Sequence, residues 1–489
     1  MLLPGRSHRV SGNASGDEVA MLQSAHSQTS SGSSGGPPSA ELPARQRGRL
    51  LRVLGVGFGI AVTIGNTIGA GALRTPGEIA AQLPNVWLFL GVWVVGGLYA
   101  LMCAVSVAEL AAMIPRSGGH YVFAKEGLGD YAGFLIGWSD WLSINGTNAL
   151  ISMVVGEYAG MIFPALAQHE TAVACSVVIF FTLVQWGGIR WGAGVQNVSS
   201  LIKSLLFVAL AVACLYYSRE VEVASTAAPS LPQGFAFVTA FVLAAQAAVF
   251  SYDGWQGVIY FGEEIKNPAR DVPRSMFGGV LSVMAIYLLL NAALIAVLPI
   301  SQIASDKFAM GTAAAAIWGV RADTIIQVIT IVSLLAAVNA IQLEGCRVMY
   351  AMSRDGLFSR VAARVNKGGT PDVGLFLSML AEVLFIVTGT VQQVIAALAL
   401  FFVVNYIVDF VAVFRLRRTQ PERERPYRAW GYPYTTGIVL IVSVAFVLGV
   451  IVGDTTNSVQ SFILLAASFP IYKLVKRFAG KPIANIQTG

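Results

Sequence analysis

Charge is what this chain of 489 residues has least of: Asp, Glu, Lys and Arg make up 12% of it, about half the roughly 25% of soluble domains. A water-soluble surface of ordinary composition is excluded, and with 55% hydrophobic residues an integral membrane protein is expected. Cysteine is scarce too. Cys103, Cys175, Cys214 and Cys346 all lie in apolar stretches without metal or secreted-domain spacing, so they read as small buried residues. The four histidines, His8, His26, His120 and His169, form no cluster, and no metal site is expected. No phosphate-binding glycine loop, nucleophile elbow or zinc signature is present, so neither an enzyme nor a cofactor is expected. Residues 1–44 lack the apolar core of a signal peptide. Their Ser, Gly, Ala and Pro content, centred on Ser31-Gly-Ser-Ser-Gly-Gly-Pro-Pro38, predicts a disordered tail.

Long apolar runs are abundant instead. Twelve follow one another, near 53–83, 87–113, 130–163, 171–188, 196–217, 235–261, 276–299, 322–350, 373–390, 392–414, 434–453 and 457–474. Twelve crossings put both termini on one side. With that topology, 27 of the 32 Lys and Arg residues fall in the tails or in connections on the termini's side. Basic residues collect in the cytoplasm, so both termini are expected there, with a second short tail at 476–489. The formal charge of +6 could suggest nucleic acid. Its basic groups at 415–418, 423–428 and 473–481 instead flank helices, where they meet anionic lipid; no nucleic acid is expected.

Two of the runs are interrupted. The first carries Gly65-Asn-Thr-Ile-Gly-Ala-Gly-Ala-Leu73, with three glycines in seven positions. Glycine weakens a helix and bares its backbone, which lipid tolerates only where the backbone lines a cavity. The sixth carries Phe250-Ser-Tyr-Asp-Gly-Trp-Gln-Gly257, equally costly in a membrane interior. Five runs separate the starts of two units that each open on an interrupted helix, so the second unit is inverted relative to the first. That arrangement supports alternating access. The units are expected near 53–217 and 235–414, followed by two extra helices near 434–474, within a transporter domain at 45–475.

A broken helix offers bare N–H groups at one end and bare carbonyls at the other. A carboxylate suits the first and an ammonium the second, which favours an α-amino acid as cargo. Lys203, inside the fifth run, either snorkels to the interface or sets its ammonium near the carbonyls of the first break. Phe250 either closes over the cargo or packs against neighbours. Tyr252, Asp253 and Trp255 are candidates for the cavity wall, and Asp253 alternatively caps the half-helix that follows. Glu109 is expected to pair near the cytoplasmic face, with Arg116, Lys125, Arg347 and Arg354 as partners to choose from. Asp140, Glu157, Glu344, Glu382 and Asp409 lie in or near spans, several of them expected at interfaces. Pro268 and Pro273 stiffen the connection after the sixth span.

Both interrupted segments, together with Glu109, Ile114-Pro-Arg-Ser-Gly-Gly119, Glu263-Glu-Ile-Lys-Asn-Pro-Ala-Arg-Asp-Val-Pro-Arg274, Met352-Ser-Arg-Asp-Gly-Leu-Phe358 and Gly369-Thr-Pro371, resemble the amino acid–polyamine–organocation superfamily, most nearly its L-type amino acid transporter branch. The resemblance covers roughly residues 50–475. It implies an all-α membrane protein of twelve transmembrane helices, a LeuT-like five-plus-five inverted repeat with discontinuous helices one and six. It implies main-chain binding of the cargo at Ile64, Thr67, Ile68, Gly69, Ala70 and Gly71 and at Phe250, Ser251, Tyr252, Asp253 and Gly254, with Phe250 as gate. It places Lys203 on the fifth-helix lysine of sodium-independent members, hence exchange or proton-linked transport. Asn66, Ala70 and Gln256 depart from commoner residues at their positions. A glycoprotein heavy chain is disfavoured, because the connection near 164–170 has no cysteine. The expected protein is a secondary active carrier of neutral or small L-amino acids, monomer or homodimer, in a cell membrane of bacterial type. The alternatives are a cationic amino acid or polyamine carrier of the same fold, for which the cavity would need carboxylates, and a non-transporting membrane sensor.

Overall fold

A computed structural model of the chain describes residues 49–69, 71–218, 230–306, 308–389, 391–453 and 455–478. The tail 1–44, Ala70, Arg219, Lys307 and residues 479–489 lie outside the described residues. Within them are sixteen α-helices and no β-strand. In chain order these are α1 (Val56–Thr67), α2 (Gly71–Gln82), α3 (Val86–Met113), α4 (His120–Leu128), α5 (Asp130–Ile162), α6 (Glu170–Trp186), α7 (Ile189–Tyr217), α8 (Phe235–Ser251) and α9 (Pro268–Val297). They continue with α10 (Ile300–Ser305), α11 (Ala309–Trp318), α12 (Ala322–Arg354), α13 (Asp372–Thr388), α14 (Val391–Thr419), α15 (Tyr434–Gly453) and α16 (Thr455–Phe478).

Four of them are long and apolar enough to cross a bilayer: α3, α7, α9 and the Thr324–Arg354 part of α12. Local chemistry sets their ends. The Asn85 side chain accepts from the N–H groups of Trp87 and Leu88 at 3.0 and 3.1 Å, capping α3. Pro268 sits in the first turn of α9, where no N–H is needed. Helix α7 shows the two faces expected in lipid: Leu201, Leu205 and Trp191 are exposed, whereas Lys203, Phe207 and Leu210 are buried. At the centre, Trp93 of α3 meets Tyr252 and Tyr287 edge-on, with centroids 6.4 and 5.2 Å away, tying α3 to α9 and to the end of α8.

The helices depart from the sequence expectations in four places. Helix α7 starts at Ile189, seven residues before the expected 196, because Gly188 at φ +124° ends one segment and opens the next. Lys203 is thus 14 residues into the helix, about 21 Å along its axis. Helix α9 starts at Pro268, so Pro268 and Pro273 belong to its first turns and not to a connection. The short helices α4, α10 and α11 were not expected; each is too short to stand out as an apolar block. Glu109 does not choose any of the expected partners. Arg417 donates to it at 2.5 and 2.8 Å, the Ala429 N–H at 2.7 Å, and Arg425 lies 3.4 Å away. Arg116 and Lys125 go to Asp355, Arg347 to Glu264 and Arg354 to Glu263.

Candidate functional site

The first apolar run breaks where its glycines are. Helix α1 stops at Thr67, Ile68 is extended (φ −80°, ψ 100°), and α2 begins at Gly71. The carbonyls at the end of α1 are not bare. Lys203 Nζ donates to the Gly65 carbonyl at 2.9 Å and also to that of Ile68. Ser333 Oγ donates to Ile68 at 3.0 Å. Snorkelling is overturned: Lys203 is 0% exposed, and its ammonium sits at the negative end of a helix dipole.

The second break follows α8. Tyr252 closes the helix, a turn runs to Gln256, and a 3-10 turn spans Gly257–Tyr260. The Tyr287 hydroxyl lies 2.9 Å from the carbonyls of both Thr67 and Ser251, so one shared proton joins the two breaks. Gly254 sits at φ +105°, and a Cβ there would stand 2.7 Å from Asn66 Cβ and 2.9 Å from the Thr67 nitrogen. Only glycine allows both the conformation and the approach. Asp253 accepts from the Tyr406 hydroxyl, and the position that caps the 3-10 turn is held by Gln256 without a side-chain cap bond. The capping role expected of Asp253 is therefore not what this geometry shows.

Beside the two breaks lies a cavity of about 110 Å³. Asn66, Asp253, Gly254 and Gln256 supply its break-side wall; His120, Asp140, Tyr260, Glu344, Asn405 and Tyr406 supply most of the polar remainder, with Ile144, Ile151, Ile341 and Phe402 among the apolar groups. Tyr260 donates to both oxygens of Asp140 at 3.1 Å, and Asn66 Nδ2 donates to Glu344 at 2.5 Å. His120 Nδ1 lies 2.6 Å from Asp409 Oδ2 behind this wall.

Of the residues expected from sequence, Asp253 and Gly254 line the cavity. Ile64, Thr67 and Ile68 are buried in the first break, and Gly69 follows them there, but none of these lines the cavity; Gly71 opens α2. Ser251 is buried and donates to Thr75 at 2.9 Å. Tyr252 faces Trp93 and Tyr287, and Trp255 faces Tyr406, so neither serves as cavity wall. Phe250 is 62% exposed and stands off the cavity. Asp140 and Glu344 are buried cavity residues, and Glu382 and Asp409 are buried as well, not interfacial; Glu157 is exposed. Sequence reading missed His120, Tyr260, Asn405 and Tyr406 as wall residues. The signal available was an ionisable or polar group on an otherwise apolar helix, which Asp140 and Glu344 gave more loudly.

The segment after the second break is tied down firmly. Leu54 N–H donates to the Glu264 carbonyl and Lys266 N–H to the Leu54 carbonyl, both at 2.9 Å. Arg347 holds Glu264 at 2.5 Å with both side chains buried, and Arg354 holds Glu263 at 2.8 Å. Next to them, Asp355 receives Arg116 at 2.8 Å, Lys125 at 3.0 Å and the Tyr121 hydroxyl at 2.8 Å. Burial pushes the Asp355 carboxyl up, but the two cations outweigh it and hold the group below its ordinary value.

Residues 58–472 match the family model described as amino acid permease. The chain belongs to the amino acid permease family. This permease is similar to the serine/threonine exchanger SteT of Bacillus subtilis (strain 168), 28% identical over 437 residues, 88% of this chain and 98% of the relative. It is similar to the human b(0,+)-type amino acid transporter 1, 25% identical over 422 residues, 83% of this chain and 84% of the relative. The large neutral amino acids transporter small subunit 2 of Oryctolagus cuniculus is 26% identical over 411 residues, 81% of this chain and 76% of the relative. The permease is an all-helical membrane protein whose family and relatives transport amino acids and are not enzymes.

Proposed function

We propose that the permease is a secondary active, sodium-independent exchanger of small amino acids that works by alternating access around its two interrupted helices. The observation that carries this is Lys203: a buried ammonium at the Gly65 and Ile68 carbonyls occupies the place a sodium ion would need there. Counting α1 with α2 and α8 with its 3-10 turn, and leaving out the short α4, α10 and α11, gives twelve spans. The first five and the next five then form an inverted pair, and the bias of basic residues puts both termini in the cytoplasm.

The cargo's α-carboxylate would approach N–H groups at the start of α2, the positive end of that helix. Its ammonium would approach the second break, where Asp253 is the negative group; the α1 carbonyls are already occupied by Lys203, Tyr287 and Ser333. Ile64, Thr67, Ile68 and Gly69, with Gly71 at the start of α2, then shape the first break, while Ser251, Tyr252 and Gly254 shape the second. Phe250, exposed in this conformation, is the ring free to swing across when cargo is bound. The relatives' names, serine/threonine and large neutral amino acids, support a neutral cargo. The cavity supports a second reading, a cargo with added positive charge, since its wall contains carboxylates, as that reading requires. No heavy-chain partner is proposed: the four cysteines are free, and none lies in the connection after α5.

The test is counterflow. The purified full-length chain in liposomes loaded with unlabelled L-serine should take up labelled L-serine, lose that uptake when the lumen is empty, and keep it when sodium is replaced by choline. A large loss of flux in choline would overturn the assigned role of Lys203.

A further inference from the structure

The connection between α14 and α15 engages some of its cations and leaves others free. Arg417 and Arg425 meet Glu109, and Arg423 meets Glu126 of α4 at 2.8 Å. Arg425 also donates to the carbonyls of Leu416 and Gln420 at 3.1 and 2.9 Å, which closes the end of α14. These guanidinium groups therefore serve the protein itself. Arg428 does not: it is exposed, and among the described residues it is in no ion pair.

Aromatic rings join this end of the connection to α9. Trp430 stacks on Phe277, with centroids 5.4 Å apart and ring planes at 27°, and Tyr427 meets the same ring at 5.9 Å. Phe277 is half-buried, whereas Trp430 is 65% exposed. An indole left open in this way belongs at the edge of a bilayer, where its ring faces acyl chains and its N–H faces headgroups. One turn back towards the start of α9 stands Arg274, exposed and likewise in no ion pair among the described residues. One turn further back, Arg270 has its side chain 60% exposed and pairs with its neighbour Asp271 at 3.0 Å. Along α9 the order is thus cation, cation, ring, as it would be from water through headgroups to hydrocarbon. The exposed acids Glu422 and Glu424 flank Arg423, at the end of the connection that is tied to α4.

Two free guanidinium groups on either side of an exposed aromatic shelf suit an amphiphile that carries a phosphate. Arginine binds phosphate oxygens in a bidentate fork, and the shelf gives the first carbons of an acyl chain an apolar surface. A choline headgroup brings its own cation and leaves the guanidinium charge uncompensated; an anionic headgroup compensates it.

We propose that Arg274 and Arg428, over the shelf of Phe277 and Trp430, bind the phosphodiester headgroup of an anionic phospholipid, which joins α9 to the connection between α14 and α15. The site is separate from the cavity and does not depend on what the permease carries.

The experiment follows thermal melting of the purified full-length chain in a neutral detergent, with phosphatidylglycerol or phosphatidylcholine of the same acyl chains added. Phosphatidylglycerol is expected to raise the melting temperature by about 3 °C and phosphatidylcholine to leave it unchanged. The double variant Arg274→Gln/Arg428→Gln should lose most of that rise, and Trp430→Ala should reduce it. Lys473→Gln/Arg477→Gln, at the basic end of α16, should keep it. Equal rises with the two lipids overturn the proposal, and this comparison stands by itself if a variant fails to fold. A rise that survives in Arg274→Gln/Arg428→Gln, or that disappears in the α16 variant, overturns it as well. So does an equal rise with glycerol 3-phosphate, which would show a site for a free phosphate and not for a lipid. The readout needs no transport, so its failure leaves the carrier reading untouched, and failure of counterflow leaves this site untouched.

Discussion

Replacing Lys203 by methionine keeps an unbranched side chain and deletes the donor. The ammonium now serves two buried carbonyls, Gly65 at 2.9 Å and Ile68. Ile68 keeps Ser333 at 3.0 Å, so one carbonyl is orphaned outright and the other loses half its partners. Hydrogen bonds to a charged donor are worth about 1.5–3 kcal/mol each, and an unsatisfied buried acceptor costs about 1–3 kcal/mol. Allowing for the retained serine, the broken geometry of α1 should lose about 2–4 kcal/mol. At about 1.4 kcal/mol per decade, that is roughly 30- to 700-fold fewer copies holding the site ready. The assay is L-serine counterflow by purified Lys203→Met protein in liposomes, with a monodisperse elution profile in detergent as the check on folding. Flux should fall at least 30-fold. A well-folded variant exchanging within twofold of the parent chain would refute the placement of that ammonium as a determinant of the break.

Three further outcomes follow from the geometry. Gly254→Ala sets a Cβ 2.7 Å from Asn66 at a backbone angle of +105°, so it should cost about 2–5 kcal/mol and abolish counterflow; a melting temperature equal to the parent's in detergent would contradict this. Phe250→Ala should leave stability within about 0.5 kcal/mol because the ring is exposed, yet raise the KM for uptake several-fold; unchanged uptake kinetics would count against gating. Asp355, held below its ordinary value by Arg116 and Lys125, contributes stability that is complete above about pH 4 and is lost only as pH falls through its lowered value. Asp355→Asn should therefore lower stability by about 1–2 kcal/mol, after screening of its partly exposed partners, and equally at pH 6 and pH 8; a gap in melting temperature that closes between those two values would show the sign to be wrong.

Both interruptions were legible because they break a rule of the bilayer: three glycines in seven positions, and an Asp-Gly pair in an apolar run, stand out against composition alone. The positions of most apolar blocks were legible for the same reason. The pairing of long-range partners was not. Arg417 meets Glu109 across 308 residues of chain, and nothing local distinguishes it from Arg116, seven residues away. Lys203 was ambiguous from sequence because its distance to the interface depends on where α7 starts, and Gly188 moved that start seven residues upstream. The cavity wall was the least legible feature. His120, Tyr260 and the adjacent Asn405 and Tyr406 come from three separate segments, and each by itself is an ordinary residue of its segment until packing brings it to the cavity beside Asp140 and Asp253.

The two kinds of charge in the centre of this protein have opposite consequences. Lys203 is satisfied before any cargo arrives, since its acceptors are carbonyls of α1 that never leave. It stabilises the break whether the site is full or empty, and it cannot by itself distinguish the two. The carboxylates of the cavity differ: each accepts from a neutral side chain, and the basic group in the same wall is the imidazole of His120, held by Asp409. Sealing the cavity empty would bury that charge away from water, whereas sealing it around an ammonium would not. A conformational step is shifted only by the difference in interaction between its two end states, and here that difference is supplied by the cargo. On the proposed reading as an exchanger, a carrier built this way returns loaded more readily than empty. On the proposed reading the two sites have separate roles: the ammonium on α7 stands at the α1 carbonyls in place of sodium, and the acids on α5, α12 and the second break make movement conditional on what is carried.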